Sequence, residues 1–371
     1  MVGLPGPEHP HQDGARGLLA ARRLLTVARR LAIAGAFAFI VVCAWYFARG
    51  GGDAKPLPGQ PLRELGKRRG IEVGTAVRAV VLERNRAYRQ VAAAQFSSVT
   101  PENVMKWSAI EPGRGDFRFD PVDRLVERAG EAEQKVRGHT LVWHAQLPGW
   151  VRALGPEELR QATREHIRRV MERYAGDVGV WDVVNEPISD RGTLRPSVFL
   201  RRLGPGFVAD AFRTARTADP DAKLYLNEIG AEGITPKSNR LYELVSGLKA
   251  QGVPIDGVGF QTHSNLKGLP PSFVENMRRF KALGLDIAIT EADVALKLPP
   301  SAADLRAQAE VYAQIVRSCL TVECRSLTFW GYTDGRSWIS ETQAGMGAAT
   351  LLDEQLRPKP AFLAVQRALG G

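Results

Sequence analysis

This sequence of 371 residues lacks the characteristic motifs of nucleotide-binding proteins and of serine and zinc hydrolases. No glycine-rich phosphate loop follows the first strand-like segment, which argues against a doubly wound nucleotide-binding sheet. No G-x-S-x-G turn is present, which argues against Ser/His/Asp catalysis. His139, His144 and His263 come from two separate segments and form no HExxH pair. We therefore predict no catalytic metal and no cofactor.

The sequence also lacks a basic stripe interleaved with aromatic residues, although its formal net charge is +10. Residues 1–56 carry +4 of that charge, and most of the remaining Lys and Arg residues are scattered along apparent helices. Such scatter is typical of solvated helix faces and not of a nucleic-acid interface. We therefore expect no nucleic-acid partner.

One long run without charged residues is present near the N-terminus, at residues 31–48. As a helix, these 18 residues would span about 27 Å, close to the thickness of the hydrocarbon core of a bilayer. Trp45 and Tyr46 lie where an interfacial aromatic belt would fall. We predict an uncleaved transmembrane or signal-anchor helix. The alternative is a cleaved signal peptide, although no small-x-small cleavage site is obvious after the run.

This apolar run divides the chain into four predicted segments. Residues 1–30 are basic and are predicted to be disordered and cytoplasmic, and residues 49–65 form a Gly/Pro-rich linker. Residues 66–371 are the predicted catalytic domain, for which we expect a monomer. That domain would be anchored to the membrane and exported to the periplasm or cell surface, or secreted if the helix is cleaved.

Cysteine is scarce, with three residues in the whole chain. Cys43 lies in the apolar run, whereas Cys319 and Cys324 are separated by four residues. In an exported domain this pair is compatible with a short-loop disulfide. The alternative is a pair of buried thiols.

Strand-like and helix-like segments alternate through the rest of the chain. The predicted strands are 72–76, 97–100, 135–139, 178–184, 224–228, 257–261, 286–291 and 326–331. Amphipathic stretches between them predict helices, the clearest of which are 156–174, 205–218, 239–251 and 302–318. Eightfold alternation predicts a single (β/α)₈ TIM barrel, with an open doubly wound sheet as the alternative.

Two glutamates close apolar, Val- and Ile-rich runs that are typical of buried parallel strands. Glu186 ends the segment that begins at Trp181, and Glu291 ends the segment that begins at Asp286. The carboxyl ends of barrel strands face the active site, and a pair of carboxylates is sufficient to break a glycosidic bond. The alternative is that both glutamates lie at strand ends by chance and cap nearby helices.

Polar and aromatic residues cluster after the same predicted strands. Their amide, carboxylate, ammonium and imidazole groups are suited to binding sugar hydroxyls. Trp143, Trp330 and Trp338 offer flat apolar faces on which a pyranose ring can stack. A single tryptophan would be better explained by core packing, but three at strand ends beside charged residues favour a sugar site.

Several of these segments together resemble glycoside hydrolase family 10, the barrel-type endo-β-1,4-xylanases. The resemblance runs in order from about Gly66 to the C-terminus and includes the segment from Trp330 to Trp338. The motifs that carry it are TPENVMKW (100–107), GHTLVWHAQLPGW (138–150), WDVVNEP (181–187), GVGFQTH (257–263) and ITEAD (289–293).

The resemblance implies a role for each matching residue. Glu186 would be the acid/base and Glu291 the nucleophile, while Asn185 would bind the sugar 2-hydroxyl. His263 would hydrogen-bond Glu291, with Asp293 orienting that histidine. The residues implied to bind substrate are Glu102, Asn103, Lys106, His139, Trp143, Gln146, Gln261, Trp330 and Trp338. Cys319 and Cys324 fall where members of the family commonly carry a disulfide.

The resemblance further implies hydrolysis of internal β-1,4-xylosidic bonds of xylan with retention of configuration, through a covalent glycosyl-enzyme. Alternatives are a β-1,4-glucan hydrolase on the same scaffold and a non-catalytic surface glycan-binding protein. Three departures from the family pattern, at Ala145, Ala292 and the segment Asn227-Glu228-Ile229, concern subsites on the leaving-group side and remove no catalytic group.

Overall fold

The computed structural model describes residues 53–371. The predicted cytoplasmic segment 1–30, the predicted membrane helix 31–48 and the first residues of the predicted linker lie outside the described residues. Within residues 53–371, no helix is both long and apolar enough to cross a membrane.

Eight parallel strands close into a barrel, which confirms the predicted (β/α)₈ fold. The closure is made by β8, which pairs with β6 on one side and with β9 on the other, while β9 also pairs with β1. Two short strands, β7 and β10, pair with the extension of β8 outside the barrel. The strands are β1 (Glu72–Val77), β2 (Ser98–Pro101), β3 (Lys135–Trp143), β4 (Val180–Asn185), β5 (Lys223–Glu228), β6 (Gly257–Phe260), β7 (His263–Asn265), β8 (Asp286–Lys297), β9 (Ser326–Phe329) and β10 (Met346–Gly347).

Helices follow the strands and cover the barrel, as the amphipathic stretches predicted. They are α1 (Leu62–Arg68), α2 (Ala79–Arg84), α3 (Arg86–Gln95), α4 (Trp107–Ile110), α5 (Asp120–Glu131), α6 (Gly149–Ala153), α7 (Pro156–Arg173), α8 (Val198–Leu203), α9 (Phe207–Ala218), α10 (Pro236–Ala250), α11 (Phe273–Lys281), α12 (Ala302–Val322), α13 (Trp338–Thr342) and α14 (Pro360–Gly370).

The helix starts have clear local causes. Pro156 is the first residue of α7, where a missing amide hydrogen is no loss. Ser301 precedes α12 and accepts a hydrogen bond from the amide of Asp304, whose carboxylate in turn accepts one from the amide of Ser301. This reciprocal pair is a capping box, and it fixes where the chain turns from β8 into α12.

A large side chain packs on the sheet where the neighbouring strand carries glycine. Trp181 on β4 is fully buried and lies against Gly138 on β3. A Cβ atom at position 138 would lie 2.1 Å from the indole ring of Trp181, far inside van der Waals contact. Glycine at this position therefore allows the indole to pack directly on the backbone of β3.

The folded domain begins upstream of residue 66, the boundary predicted from the sequence. Helix α1 starts at Leu62, whose side chain is fully buried and whose amide donates to Gln95. Gln366 on α14 donates to the carbonyl oxygens of Pro58 and Gln60. The later part of the predicted linker therefore packs on the barrel.

The predicted disulfide between Cys319 and Cys324 is wrong, since both residues are free thiols in the structure. Cys319 lies in the last turns of α12, and its carbonyl accepts a hydrogen bond from the amide of Cys324. Both side chains are buried in the hydrophobic core, where cysteine behaves as a small apolar residue. Burial raises the pKa of the Cys319 thiol well above its usual value.

Candidate active site

The two predicted catalytic glutamates lie at the carboxyl end of the barrel, on strands separated by β5 and β6. Glu186 follows the last residue of β4, and Glu291 lies within β8 where that strand leaves the barrel. Asn227 on β5 spans the gap: its Nδ2 donates to Glu291 Oε1 at 2.8 Å and to Asn185 Oδ1 at 2.9 Å. Asn185 Nδ2 lies 3.4 Å from Glu186 Oε1. The two carboxylates therefore share one hydrogen-bonded network.

Glu291 is held as a carboxylate by the positive and polar groups around it. Its side chain is almost fully buried, and Nε2 of His263 lies 3.2 Å from Oε2. Burial alone would raise the pKa of Glu291, but the hydrogen bond from His263 and the charges of His139, His263 and Lys106 outweigh it, so the net pKa lies below the usual value. Glu291 is therefore a buried anion with a fixed orientation.

His263 lies between two carboxylates. Its Nδ1 is 2.9 Å from Asp293 Oδ2, which also accepts a hydrogen bond of 2.8 Å from Trp338 Nε1. Burial lowers the pKa of His263, but Asp293 and Glu291 raise it further, to about 10. The ring is therefore charged at neutral pH and donates from both nitrogens.

We expect Asp293→Asn to reduce the loss of stability at alkaline pH and to end that loss at a lower pH. The pKa of His263 is higher in the folded state than its ordinary 6.5, so its stabilisation is complete below about pH 6.5 and is lost as the pH rises through about 10. Without the Asp293 charge the folded-state pKa falls, so the loss still begins near the ordinary value of 6.5 but is smaller and ends at a lower pH. Denaturant unfolding from about pH 6 to about pH 10 measures this shift.

Trp338→Phe is the matched control for this experiment, because it removes the hydrogen bond to Asp293 without changing a charge. Its stability should fall with pH as in the unsubstituted protein. Parallel pH profiles for Asp293→Asn and the unsubstituted protein would contradict the assignment of a charged His263.

Glu186 has a more open environment than Glu291. Its side chain is 13% exposed, compared with 6% for Glu291. Gln261 Nε2 donates to Glu186 Oε1 at 3.2 Å, and Nδ1 of His144 lies 3.9 Å from the other oxygen. The two glutamates are thus chemically different, one enclosed by cations and the other close to solvent.

Aromatic rings and a lysine surround the carboxylates. The Lys106 ammonium lies 4.8 Å from the ring centre of Trp143 and 6.0 Å from that of Trp330. Trp330 also packs edge-on against His139, with ring centres 5.2 Å apart. Burial lowers the pKa of Lys106, although nearby carboxylates, Glu291 foremost, oppose this. The lysine and the rings together form one wall beside the carboxylates.

A second polar group lies after β2 and β3. Asn103 donates to Glu102 Oε1 at 3.3 Å and accepts from Gln146 at 3.3 Å. Arg78, on the loop after β1, donates to Glu102 Oε2 at 3.0 Å.

Taken with the residues described above, the structure places every sequence-predicted site residue at the carboxyl end of the barrel, apart from the two cysteines.

Comparison with known proteins decides the family. The family model described as Glycosyl hydrolase family 10 matches residues 61–368. Endo-1,4-beta-xylanase B of Thermotoga neapolitana is 41% identical over 316 residues, covering 83% of this chain and 91% of that protein. The chain belongs to glycosyl hydrolase family 10.

Solved structures of the family agree in fold. Native xylanase 10B from Thermotoga maritima has a TM-score of 0.81 and 44% identity, covering 83% of this chain and 98% of that one. Xylanase 10B from Thermotoga petrophila, solved in complex with xylobiose, has a TM-score of 0.82 and 42% identity over 85% of this chain and 98% of that one. This family 10 protein is therefore a glycoside hydrolase.

Sequence reasoning missed three groups that complete this family 10 site. Asn227 lies between the two glutamates, as described above. Asp182, buried on β4, accepts from Arg137 and lies 3.0 Å from Nδ1 of His139, so it orients that ring. His144 faces Glu186, and burial foremost lowers its pKa. Asn227 lies near the end of a predicted strand and His144 follows another, and these positions were the available signal.

Proposed function

We propose that this protein is a retaining endo-1,4-β-xylanase in which Glu291 is the nucleophile and Glu186 the acid/base. The observation that carries the proposal is the contrast between the two linked carboxylates. Glu291 is buried, oriented and depressed in pKa by His263, whereas Glu186 lies nearer solvent without a cationic hydrogen-bond partner on its carboxylate. Similar chains named as xylanases supply the substrate class.

In the first step, a Glu291 oxygen forms a bond to the anomeric carbon while the bond from that carbon to the leaving oxygen breaks. Glu186 gives its proton to the leaving oxygen. In the second step, water attacks the anomeric carbon and gives a proton to Glu186, while the bond from that carbon to Glu291 breaks and the sugar is released.

The remaining side chains bind and orient the sugar. Asn185, fixed by Asn227, would hold the 2-hydroxyl of the sugar that reacts. Trp330, beside Lys106, and Trp338, beside His263, would pack on the pyranose face. The next sugar unit would be bound by Glu102, Asn103 and Gln146. Positioning of this kind lowers the entropic barrier to attack.

Stereochemistry tests the mechanism directly. Two displacements at one carbon restore the starting configuration, so the first sugar released from xylan oligomers should be the β-anomer. Proton NMR within the first minutes of hydrolysis, before mutarotation, measures it. An α-anomer as first product would contradict the roles proposed for Glu186 and Glu291.

We also propose that residues 31–48 anchor the enzyme in a membrane, with the barrel exported. The uncharged length of the run and the preceding arginines support this. The full-length chain should sediment with membranes, resist extraction by salt and be released by detergent. N-terminal sequencing is the check: a soluble product that begins after residue 48 would instead indicate cleavage.

A further inference from the structure

The proposed acid/base lies at a strained point of the backbone. Glu186 has a φ of 54°, in the left-handed region that residues other than glycine rarely adopt. Such a conformation persists only when surrounding contacts impose it. The contacts that hold residues 186–188 therefore determine where the Glu186 carboxyl points.

Neighbouring elements supply these contacts. The amide of Glu186 donates to the carbonyl of Asn227 at 2.8 Å. Arg195 donates to the carbonyls of Glu186 and Ile188, both at 2.9 Å. The amide of Ile188 donates to Oε2 of Glu228 at 2.9 Å. Glu228, the last residue of β5, is thus the carboxylate that fixes the segment after Glu186.

Glu228 is itself held by a buried ion pair. Its side chain is fully buried, and Oε1 lies 3.3 Å from the ammonium of Lys237, whose side chain is 6% exposed. Oε1 also accepts from the amide of Ile229 at 3.2 Å. Every group that hydrogen-bonds or pairs with this carboxyl is a donor, which favours its charged form, whereas burial raises the pKa of Glu228 to about 8. The second contact of Lys237 is Asp190, at 2.9 Å, in the same loop as Ile188.

We propose that Glu228 and Lys237 are positioning residues for the acid/base, which hold Glu186 where it can protonate the leaving oxygen. Neither residue contacts Glu291, which is oriented by Asn227 and His263. Their loss should therefore impair proton transfer and leave nucleophilic attack largely intact. This inference rests on the proposed function of Glu186 and adds to it.

The test compares two substrates that differ in their need for a proton. Phenyl β-xylobioside needs an acid, whereas 2,4-dinitrophenyl β-xylobioside has a leaving group that departs without one. Glu228→Gln keeps the side-chain shape but turns an amide toward Lys237. We expect kcat/KM for the phenyl substrate to fall about 10- to 100-fold, since small misplacement has effects of that size. For the dinitrophenyl substrate the fall should stay below about threefold. Lys237→Met should show the same selectivity.

Asp256→Asn is the matched control. Asp256 precedes β6, at the opposite end of the barrel, and its carboxylate likewise accepts from a cation, Arg216, and from a backbone amide, that of Leu224. This variant should change the two substrates equally, whatever its stability. Circular dichroism and thermal melting, measured on all variants, show which are folded.

Equal falls on both substrates in Glu228→Gln, or no fall on either, would overturn the inference. Glu186→Ala serves as the reference. If Glu186→Ala loses kcat/KM on the phenyl substrate alone and Glu228→Gln does not, the positioning role fails while the proposed function stands. If Glu186→Ala is not selective either, the proposed function fails as well.

Discussion

Glu291→Ala should reduce kcat on xylan on the order of 10⁵-fold, because covalent catalysis has no substitute for its nucleophile. The buried carboxylate has Asn227 on one oxygen and His263 on the other, and no other described carboxylate makes both contacts. Initial rates on xylohexaose measure the loss. Asp256→Asn, which also removes a hydrogen-bonded carboxylate, should retain most of the activity.

Added azide should partly restore this variant and reveal the lost step. The truncated side chain leaves room for a small anion beside the anomeric carbon. A single displacement by azide, with Glu186 still able to protonate the leaving oxygen, inverts the configuration and gives the α-glycosyl azide. A β-azide from Glu291→Ala, or activity near that of the unsubstituted enzyme, would show that Glu291 is not the nucleophile.

The sequence predicted the barrel well because its strands are apolar runs separated by amphipathic helices. Strand ends were less accurate: β3 continues to Trp143, which still pairs with β4, and β8 continues to Lys297, beyond the residues that pair within the barrel. Both continuations carry site residues, including Trp143 and Asp293. The residues that follow the predicted ends of these two strands are therefore still in strand conformation. Local pattern does not distinguish a strand that leaves the barrel from a loop.

Residues that contact substrate were found by type and position, whereas residues that orient them were not. Asp182 and Asn227 are buried on strands, and their partners lie 43 and 64 residues away along the chain. Glu228 was noted only as a departure from the family pattern. Contacts between distant strands depend on barrel closure, which no local spacing encodes. The disulfide prediction failed for a related reason, since the core that encloses both thiols is assembled by tertiary packing.

Glu186→Ala should affect substrates according to their leaving groups. Without the acid, kcat/KM on xylan and on phenyl β-xylobioside should fall by about 10² to 10⁴, the usual contribution of general acid–base catalysis. For the dinitrophenyl xylobioside, kcat/KM should change little, because glycosylation by Glu291 needs no proton there. Asp256→Asn is again the control for this experiment. Gln261→Glu would not be suitable, because it adds a charge beside Glu186.

The second half of the reaction gives the stronger test. In Glu186→Ala the glycosyl-enzyme on Glu291 should accumulate on the dinitrophenyl substrate, since no base activates water, and kcat should therefore fall. Azide needs no base, so it should raise kcat and give the β-glycosyl azide. The two variants would then yield azides of opposite configuration from one substrate, which only an enzyme with the nucleophile at Glu291 and the acid/base at Glu186 produces. The same anomer from both variants would contradict that division of roles, and mass spectrometry of the trapped ester on Glu291 provides an independent check.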